Sequence, residues 1–217
     1  MKRLILLLIG VFAFSNTAIA QKWSLDKAHS TVKFEVEHIV VLQKVMDTPE
    51  DYYTMGTTDG SFKDFDIKFT LGNDDFSGSQ IEATIKVNSV DTDNDGRDGH
   101  LKSEDFFDAE KFPAITFKSK EFIKTGEKSY KITGDITIKG VTRTVEFDAT
   151  CTSEFAKASE SDFISFTATG KIDRYKFGLK WTDLIEQGGF RVSSYVQLKI
   201  QANLMKNGSS YVNEKYD

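Results

Sequence analysis

The sequence predicts an all-β protein whose eight antiparallel strands close into a barrel, with a short helical segment near residues 99–111. Three observations carry that expectation. Eight separate runs alternate apolar and polar residues with period two, the pattern of strands buried on one face. The outward phase of nearly every run is charged or threonine-rich, which leaves little apolar surface for a second layer to cover. Helical periodicity is nearly absent outside Gly99 to Lys111, so no helix layer is available to cover a sheet face. A two-sheet sandwich is the alternative. Eight strands are enough to close a small barrel, and closure removes the edge strands that invite aggregation.

In the first run Val32, Phe34 and Val36 alternate with Lys33, Glu35 and Glu37, and His38 falls in the apolar phase. Phe65, Ile67, Phe69 and Leu71 form the second run, Ile81, Ala83, Ile85 and Val87 the third, and Ile115 and Phe117 the fourth. Tyr130, Ile132, Gly134, Ile136 and Ile138 make the fifth. Lys139-Gly140 then reads as a tight turn, glycine supplying the positive φ that such a hairpin requires. Beyond it come Val145, Phe147, Ala149 and Cys151, then Ile164, Phe166, Ala168, Gly170 and Ile172. The eighth run is Val192, Ser194, Val196, Leu198, Ile200, Ala202 and Leu204. Val41 to Thr57 reads as an irregular insertion, and residues 207–217 as a polar tail that frays.

The first twenty residues read as a targeting segment. Lys2 and Arg3 precede an uncharged apolar run from Leu4 to Phe14, and Ala18-Ile19-Ala20 supplies a small-residue cleavage site. As a helix that run spans only about 16 Å, against about 30 Å for a bilayer core. A signal peptide over residues 1–20 is therefore expected, and a periplasmic or secreted chain starting at Gln21. Residues 21–206 fit one barrel domain. Loss of Lys2 and Arg3 takes the 28 basic residues to 26 against 33 acidic ones. That balance argues against nucleic acid as a partner and against anionic membrane surfaces. Stable membrane insertion is not expected, and a homodimer is left open. Cys151 is the single cysteine, so no internal disulfide is available, and its phase marks it as a small buried hydrophobe.

A barrel of this composition presents large residues inward. The expected interior lining is Phe34 and Val36 of the first run, Phe65, Ile67 and Phe69 of the second, and Ile81 and Ile85 of the third. Phe117, Ile136, Phe147 and Phe166 follow from the next four, and Val196 and Leu198 from the last. Eight strands leave room either for close packing or for one slender apolar ligand.

The passage from Asp91 to Pro113 stands apart as an acidic, glycine-punctuated loop. Asp91-x-Asp93-x-Asp95-Gly96 looks like the start of a calcium loop, but its twelfth position is Lys102 where a bidentate Glu is required. A polar strand-to-helix loop is the ordinary reading and calcium the lesser one. His29, His38 and His100 are the only histidines, and their spacing gives no zinc pair. No metal and no catalytic residue is assigned. The polar groups expected at the barrel mouth are His29, Arg97, His100 and Arg174. A guanidinium offers several donors in a fixed fork, which suits an anionic or carbonyl head group, although an outward structural ion pair with Asp98 or Asp173 explains each arginine equally well.

Several blocks together resemble the YceI-like family of exported, lipocalin-like polyisoprenoid-binding proteins. They are Trp23-Ser24-Leu25-Asp26-Lys27-Ala28-His29-Ser30, Gly60-Ser61-Phe62-Lys63-Asp64-Phe65, Arg97-Asp98-Gly99-His100-Leu101 and Asp105-Phe106-Phe107-Asp108. Lys111-Phe112-Pro113-Ala114-Ile115-Thr116-Phe117-Lys118-Ser119 is the most specific, and Gly134 to Thr142 and Ile172 to Leu179 continue the match. The Val41 to Thr57 insertion and Lys176, where the family pattern more often has an acidic residue, depart from it. The resemblance implies an eight-stranded antiparallel lipocalin-like barrel holding a long isoprenoid or acyl chain. It implies no cofactor other than that lipid. The expected function is non-catalytic binding, storage or transport of a polyisoprenoid, isoprenoid quinone or fatty-acyl compound. An enzyme acting on an isoprenoid or quinone, with Arg97 and His100 at its centre, is one alternative. A filled barrel that only displays interaction loops is the other.

Overall fold

The computed structural model describes residues 22–41, 52–154, 157–180, 190–207 and 209. The expected signal peptide and nearly all of the expected tail lie outside the described residues. Alternation becomes eleven strands that act as eight staves, because three staves are broken. The first stave is β1 (Lys22–Leu25) with β2 (Thr31–Val41), the second β3 (Tyr52–Phe62) with β4 (Phe65–Thr70), and the third β5 (Gln80–Lys86) with β6 (Val90–Asp91). β7 (Ala114–Lys124), β8 (Ser129–Ile138), β9 (Val141–Cys151), β10 (Phe163–Asp173) and β11 (Phe190–Lys206) are continuous. The break between β1 and β2 is built from Asp26, whose carboxylate accepts the backbone N–H of Ala28 and His29 and caps a tight turn.

Every pairing is antiparallel between chain neighbours, and the last strand returns to the first. Trp23 pairs with Phe69 of β4 on one side and Lys206 of β11 on the other, while β11 also runs along β2 with Phe34 opposite Leu198. The sheet is thus a closed eight-stranded barrel. Burial follows the pleat: on β4, Phe65, Ile67 and Phe69 are buried and Asp66, Lys68 and Thr70 exposed. The hairpin between β8 and β9 turns through Lys139 and Gly140 at φ 48° and 74°, the twist that a two-residue loop needs.

Two expectations are corrected. The helical segment, α1, spans Asp95–Lys102 rather than residues 99–111. The side chain of Asn94 accepts the Arg97 N–H and starts α1, whereas Ser103 to Phe112 folds into successive turns. The stretch expected as an irregular insertion contributes Val41 to β2 and Tyr52 to Thr57 to β3, and residues 42–51 lie outside the described residues. The inward positions of β3 opposite His38, Val36 and Phe34 are Gly56, Thr58 and Gly60, with Phe62 at its end opposite Val32, so most of that strand carries little apolar alternation.

Candidate functional site

One end of the barrel is sealed by stacked aromatic rings. Phe76 and Tyr130 are 0% and 1% exposed, and Phe166 lies with ring centroids 5.3 Å from Phe76, 5.7 Å from Tyr130 and 5.9 Å from Phe122. Phe76 comes from the β4–β5 loop and holds a left-handed backbone at φ 65°, uncommon for a bulky residue. Asp75 stabilises that turn by accepting the N–H and the hydroxyl of Ser77 at 3.1 and 2.6 Å. These two bonds, hydroxyl first, and Lys124 nearby hold its carboxyl below the ordinary 3.8. The Tyr130 hydroxyl donates to the Asp75 carbonyl at 3.1 Å. Burial raises the Tyr130 phenol to about 12.

Above this floor the barrel is hollow. A cavity of about 630 Å³ extends from Phe122, Phe166 and Leu204 up to α1. Its volume falls within the usual range for small-molecule sites. The interior residues predicted from alternation all line it except Phe65, which belongs to a buried cluster with Val87, Val90 and Ile115. Two large rings leave the lumen open because they lie against glycines. A Cβ at Gly134 would come within 2.5 Å of Phe117 Cζ, and one at Gly170 within 2.6 Å of Phe147 Cδ1. The two rings then meet edge to face at 5.6 Å.

The other end is the mouth. His38, Gly96 and Arg97 both line the cavity and are solvent-exposed, so the cavity reaches the surface there. Leu101, Phe106 and Phe107 form the apolar part of the rim. His38 Nε2 is 2.8 Å from Thr58 Oγ1, and both residues line the cavity. His100 sits 3.3 Å from the Asp105 carboxylate with its ring edge-on to Phe106. In the acidic run before α1, Asp91 is engaged in local structure. Asp91 accepts the Asp93 N–H and pairs with Lys63 at 3.2 Å, which together hold its carboxyl below the ordinary range.

The four expected polar mouth residues therefore part company. Arg97 and His100 are at the rim. Arg174 also lines the cavity but is only 3% exposed. It donates to the carbonyls of Leu179, Ser193 and Val192 at 2.7, 2.8 and 3.2 Å, clamping the turn after β10 onto the start of β11. Burial lowers its pKa from the usual guanidinium value. His29 does not line the cavity. It pairs with Asp26 at 2.7 Å and lines a separate surface pocket with Ser153, Phe163 and Asn203. Among the residues missed from sequence are His38 and Thr58 at the rim, Phe62, Leu101, Phe106 and Phe107 along the wall and rim, and Phe76 and Phe122 at the floor. The inward phase of His38 was the available signal; a lone phenylalanine in a polar loop offers none.

Among the described residues no group of three His, Cys, Asp or Glu could hold a metal ion. No helix among them is long and apolar enough to cross a membrane. Cys151 is buried, as its phase predicts.

Comparison with known proteins agrees with this architecture. A UPF0312 protein of Staphylococcus aureus is 34% identical over 185 residues, 83% of this chain and 95% of the relative. Burkholderia cenocepacia BcnA has a crystal structure that superposes with a TM-score of 0.64 at 24% identity, covering 82% of this chain and 98% of BcnA. A polyisoprenoid binding domain from Saccharophagus degradans, implicated in plant cell wall breakdown, shares the fold. Its TM-score is 0.57 at 14% identity, over 86% of this chain and 99% of that domain. The sequence model of the YceI-like domain matches residues 23–204, the whole barrel from β1 to the end of the cavity wall on β11, and the chain belongs to the YceI-like family.

Proposed function

We propose that this protein is a non-catalytic carrier or reservoir for an amphiphile with a long apolar tail: a polyisoprenoid, an isoprenoid quinone or a fatty-acyl compound. The observation that carries the reading is the cavity itself, about 630 Å³ of lumen walled by phenylalanine and aliphatic side chains and floored by aromatic rings. An empty apolar space of that size forfeits packing that a filled core would have. A tail of matching shape regains it. Each methylene withdrawn from water contributes about 0.8 kcal/mol, less the cost of ordering a flexible chain. The name of the Saccharophagus degradans domain supports an isoprenoid over other tails. The basic, apolar and small-residue order of the first twenty positions supports work in the periplasm or outside the cell.

Native mass spectrometry of the gently purified protein, followed by lipid extraction, tests the proposal. A stoichiometric long-chain lipid supports it. A mass equal to the bare polypeptide, with no uptake of added isoprenoid or acyl chains, overturns it.

A further inference from the structure

Resting on the carrier reading, we propose that the outer β10–β11 flank of the barrel docks on a bilayer containing anionic phospholipids, its exposed lysines meeting their phosphates. The net charge of −5 disfavours an anionic partner for the chain as a whole, but that charge is unevenly spread. β11 contains no aspartate or glutamate in its 17 residues. β10 contains one, Asp173, whose carboxylate accepts the Tyr175 N–H at 3.1 Å. The outward positions between them are Thr167, Thr169 and Lys171, in direct register with Gln201, Lys199 and Gln197. Lys176 and Lys180 extend this surface past the end of β10, and both are exposed. Carboxylates border the strip rather than enter it: Glu35 of β2 lies beyond Gln197, and Asp148 of β9 beyond Thr169.

Lys33 of β2 stands directly opposite Lys199 of β11, and both are exposed. Like charges in that relation destabilise a sheet. The next residues along the row are Thr169 on one side and Ser61 on the other, so no carboxylate relieves the pair. Among the described residues none of Lys33, Lys171, Lys176, Lys180 and Lys199 forms an ion pair. On the β7–β8 flank the pattern is the reverse: Lys118, Lys120 and Lys131 meet Glu82, Asp135 and Glu146 at 2.9, 2.6 and 2.7 Å. An anionic surface laid on β10 and β11 offsets the repulsion that the barrel itself leaves in place. Tyr195 adds an apolar contact. It is 50% exposed, with Lys171 Nζ 4.6 Å from its ring centroid. A tyrosine beside lysines suits a bilayer interface, where the ring sits at headgroup level and the ammonium meets phosphate. The strip runs roughly 20 Å along β11 from Gln201 to Tyr195. Tyr195 lies opposite Asp173, at the mouth end of β10, so docking here brings the mouth to the membrane. An acidic protein would satisfy the lysines equally, but a long apolar tail resides in a bilayer before it reaches the barrel.

The test sediments the purified protein with vesicles of phosphatidylcholine, either pure or with one third phosphatidylglycerol. The expected result is binding to the phosphatidylglycerol vesicles alone, weakening as salt screens the surface potential. Lys33→Gln, Lys171→Gln and Lys199→Gln combined should weaken it about a hundredfold, at about fivefold per lysine. Lys118→Gln, Lys120→Gln and Lys131→Gln combined change the net charge equally and should have a far smaller effect. Circular dichroism melts establish that both triple variants are folded. Tyr195→Ser should weaken vesicle binding while leaving its salt dependence unchanged. Equal sedimentation with both kinds of vesicle, sedimentation with neither, or equal losses in the two triple variants overturns the proposal. A protein that ignores the vesicles but binds poly-glutamate assigns the strip to an acidic polypeptide, which also overturns it. Sedimentation reads docking alone, so docking without uptake of any tail supports the strip and removes the carrier reading, whereas tail uptake without docking removes only this inference.

Discussion

Phe147 of β9 and Gly170 of β10 are directly opposed cross-strand partners, and the ring of Phe147 occupies the space that a side chain at 170 would take. The absent side chain lets the ring lie along the barrel wall instead of across the lumen. Aromatic rings folded over a glycine on a neighbouring strand also stabilise a position that is otherwise weak in a sheet. Gly134, diagonal to Phe117 across β7 and β8, likewise leaves its side-chain space to that ring. The hollow interior is therefore written as phenylalanine on one strand and glycine on the next.

Gly170→Ala tests that relation. Gly170 has no positive φ, so alanine meets no backbone penalty there and on strand propensity alone should help. The expected outcome is the reverse. The new Cβ meets Phe147 Cδ1 at 2.6 Å and drives the ring inward, with a loss of about 1–3 kcal/mol typical of overpacking. Chemical denaturation measures the loss, and a chain-length series should show a shorter longest tail. An unchanged midpoint would mean that the ring is not held by this contact.

The strand phase makes a second prediction. Phe147→Asp places an unpaired carboxylate among Phe117, Ile132 and Ala149 on the inner face, a costly burial that should prevent folding or abolish lipid retention. Glu146 points outward and meets Lys131 at 2.7 Å, an exposed pair of the kind that contributes little. Glu146→Ala should leave the melting temperature nearly unchanged. Equal tolerance of both substitutions would contradict the register.

These two residues also show what was legible in advance. Phe147 and Gly170 both sit in the apolar phase of their strands, so period two alone placed them inside. It placed His38 inside as well, which put that residue at the mouth, where it meets Thr58. β3 was not legible, because its inward positions before Phe62 are glycine and threonine, which give no apolar alternation. α1 was misplaced because it is held by a cap and by the buried Asp98, not by an apolar stripe. Phe76 was invisible for a related reason: its inward direction depends on a left-handed turn secured by Asp75 and Ser77.

Arg174 should behave as a structural clamp. Arg174→Met leaves buried carbonyls on the turn after β10 and on β11 without their donors, at about 1–3 kcal/mol for an unpaired buried polar group. Arg174→Lys should not restore stability, because an ammonium cannot reproduce the planar fork that reaches Leu179, Ser193 and Val192. Thermal unfolding of the two variants measures both effects. A fully stable Arg174→Met protein with altered head-group preference would return this residue to the binding site.

The sealed end should also set part of the pH dependence of stability. Asp75 has a folded pKa below its unfolded value, so its contribution is present above about pH 3.8 and is lost as the pH falls through the depressed folded value. Tyr130 has a folded pKa raised from 10.0 to about 12, so its contribution is full below pH 10 and is lost as the pH rises toward 12. Asp75→Asn should flatten the acid limb of a melting-temperature profile, and Tyr130→Phe the alkaline limb. Profiles that match the parent at both extremes would place the sensitive groups elsewhere.

Phe166 provides the sharpest test of cavity depth. Its ring faces the lumen on one side and on the other meets Phe69, Phe76, Phe122 and Tyr130, so it belongs to both the ligand space and the floor. Phe166→Trp adds bulk at that level and should shorten the longest tail accommodated. Phe166→Ala should have the opposite effect on length while destabilising the protein by about 3–5 kcal/mol, the cost of emptying a large core position. Within the accommodated range, affinity should rise about fourfold per added methylene, since each is worth about 0.8 kcal/mol, and should level off where the tail reaches the floor. The levelling point is the quantity to compare. It should move to shorter tails in the tryptophan variant and to longer tails in the alanine variant, with head-group preference unchanged in both. If the levelling point stays fixed in both variants while each still binds lipid, Phe166 is not the floor, and the tail must follow another path through the barrel.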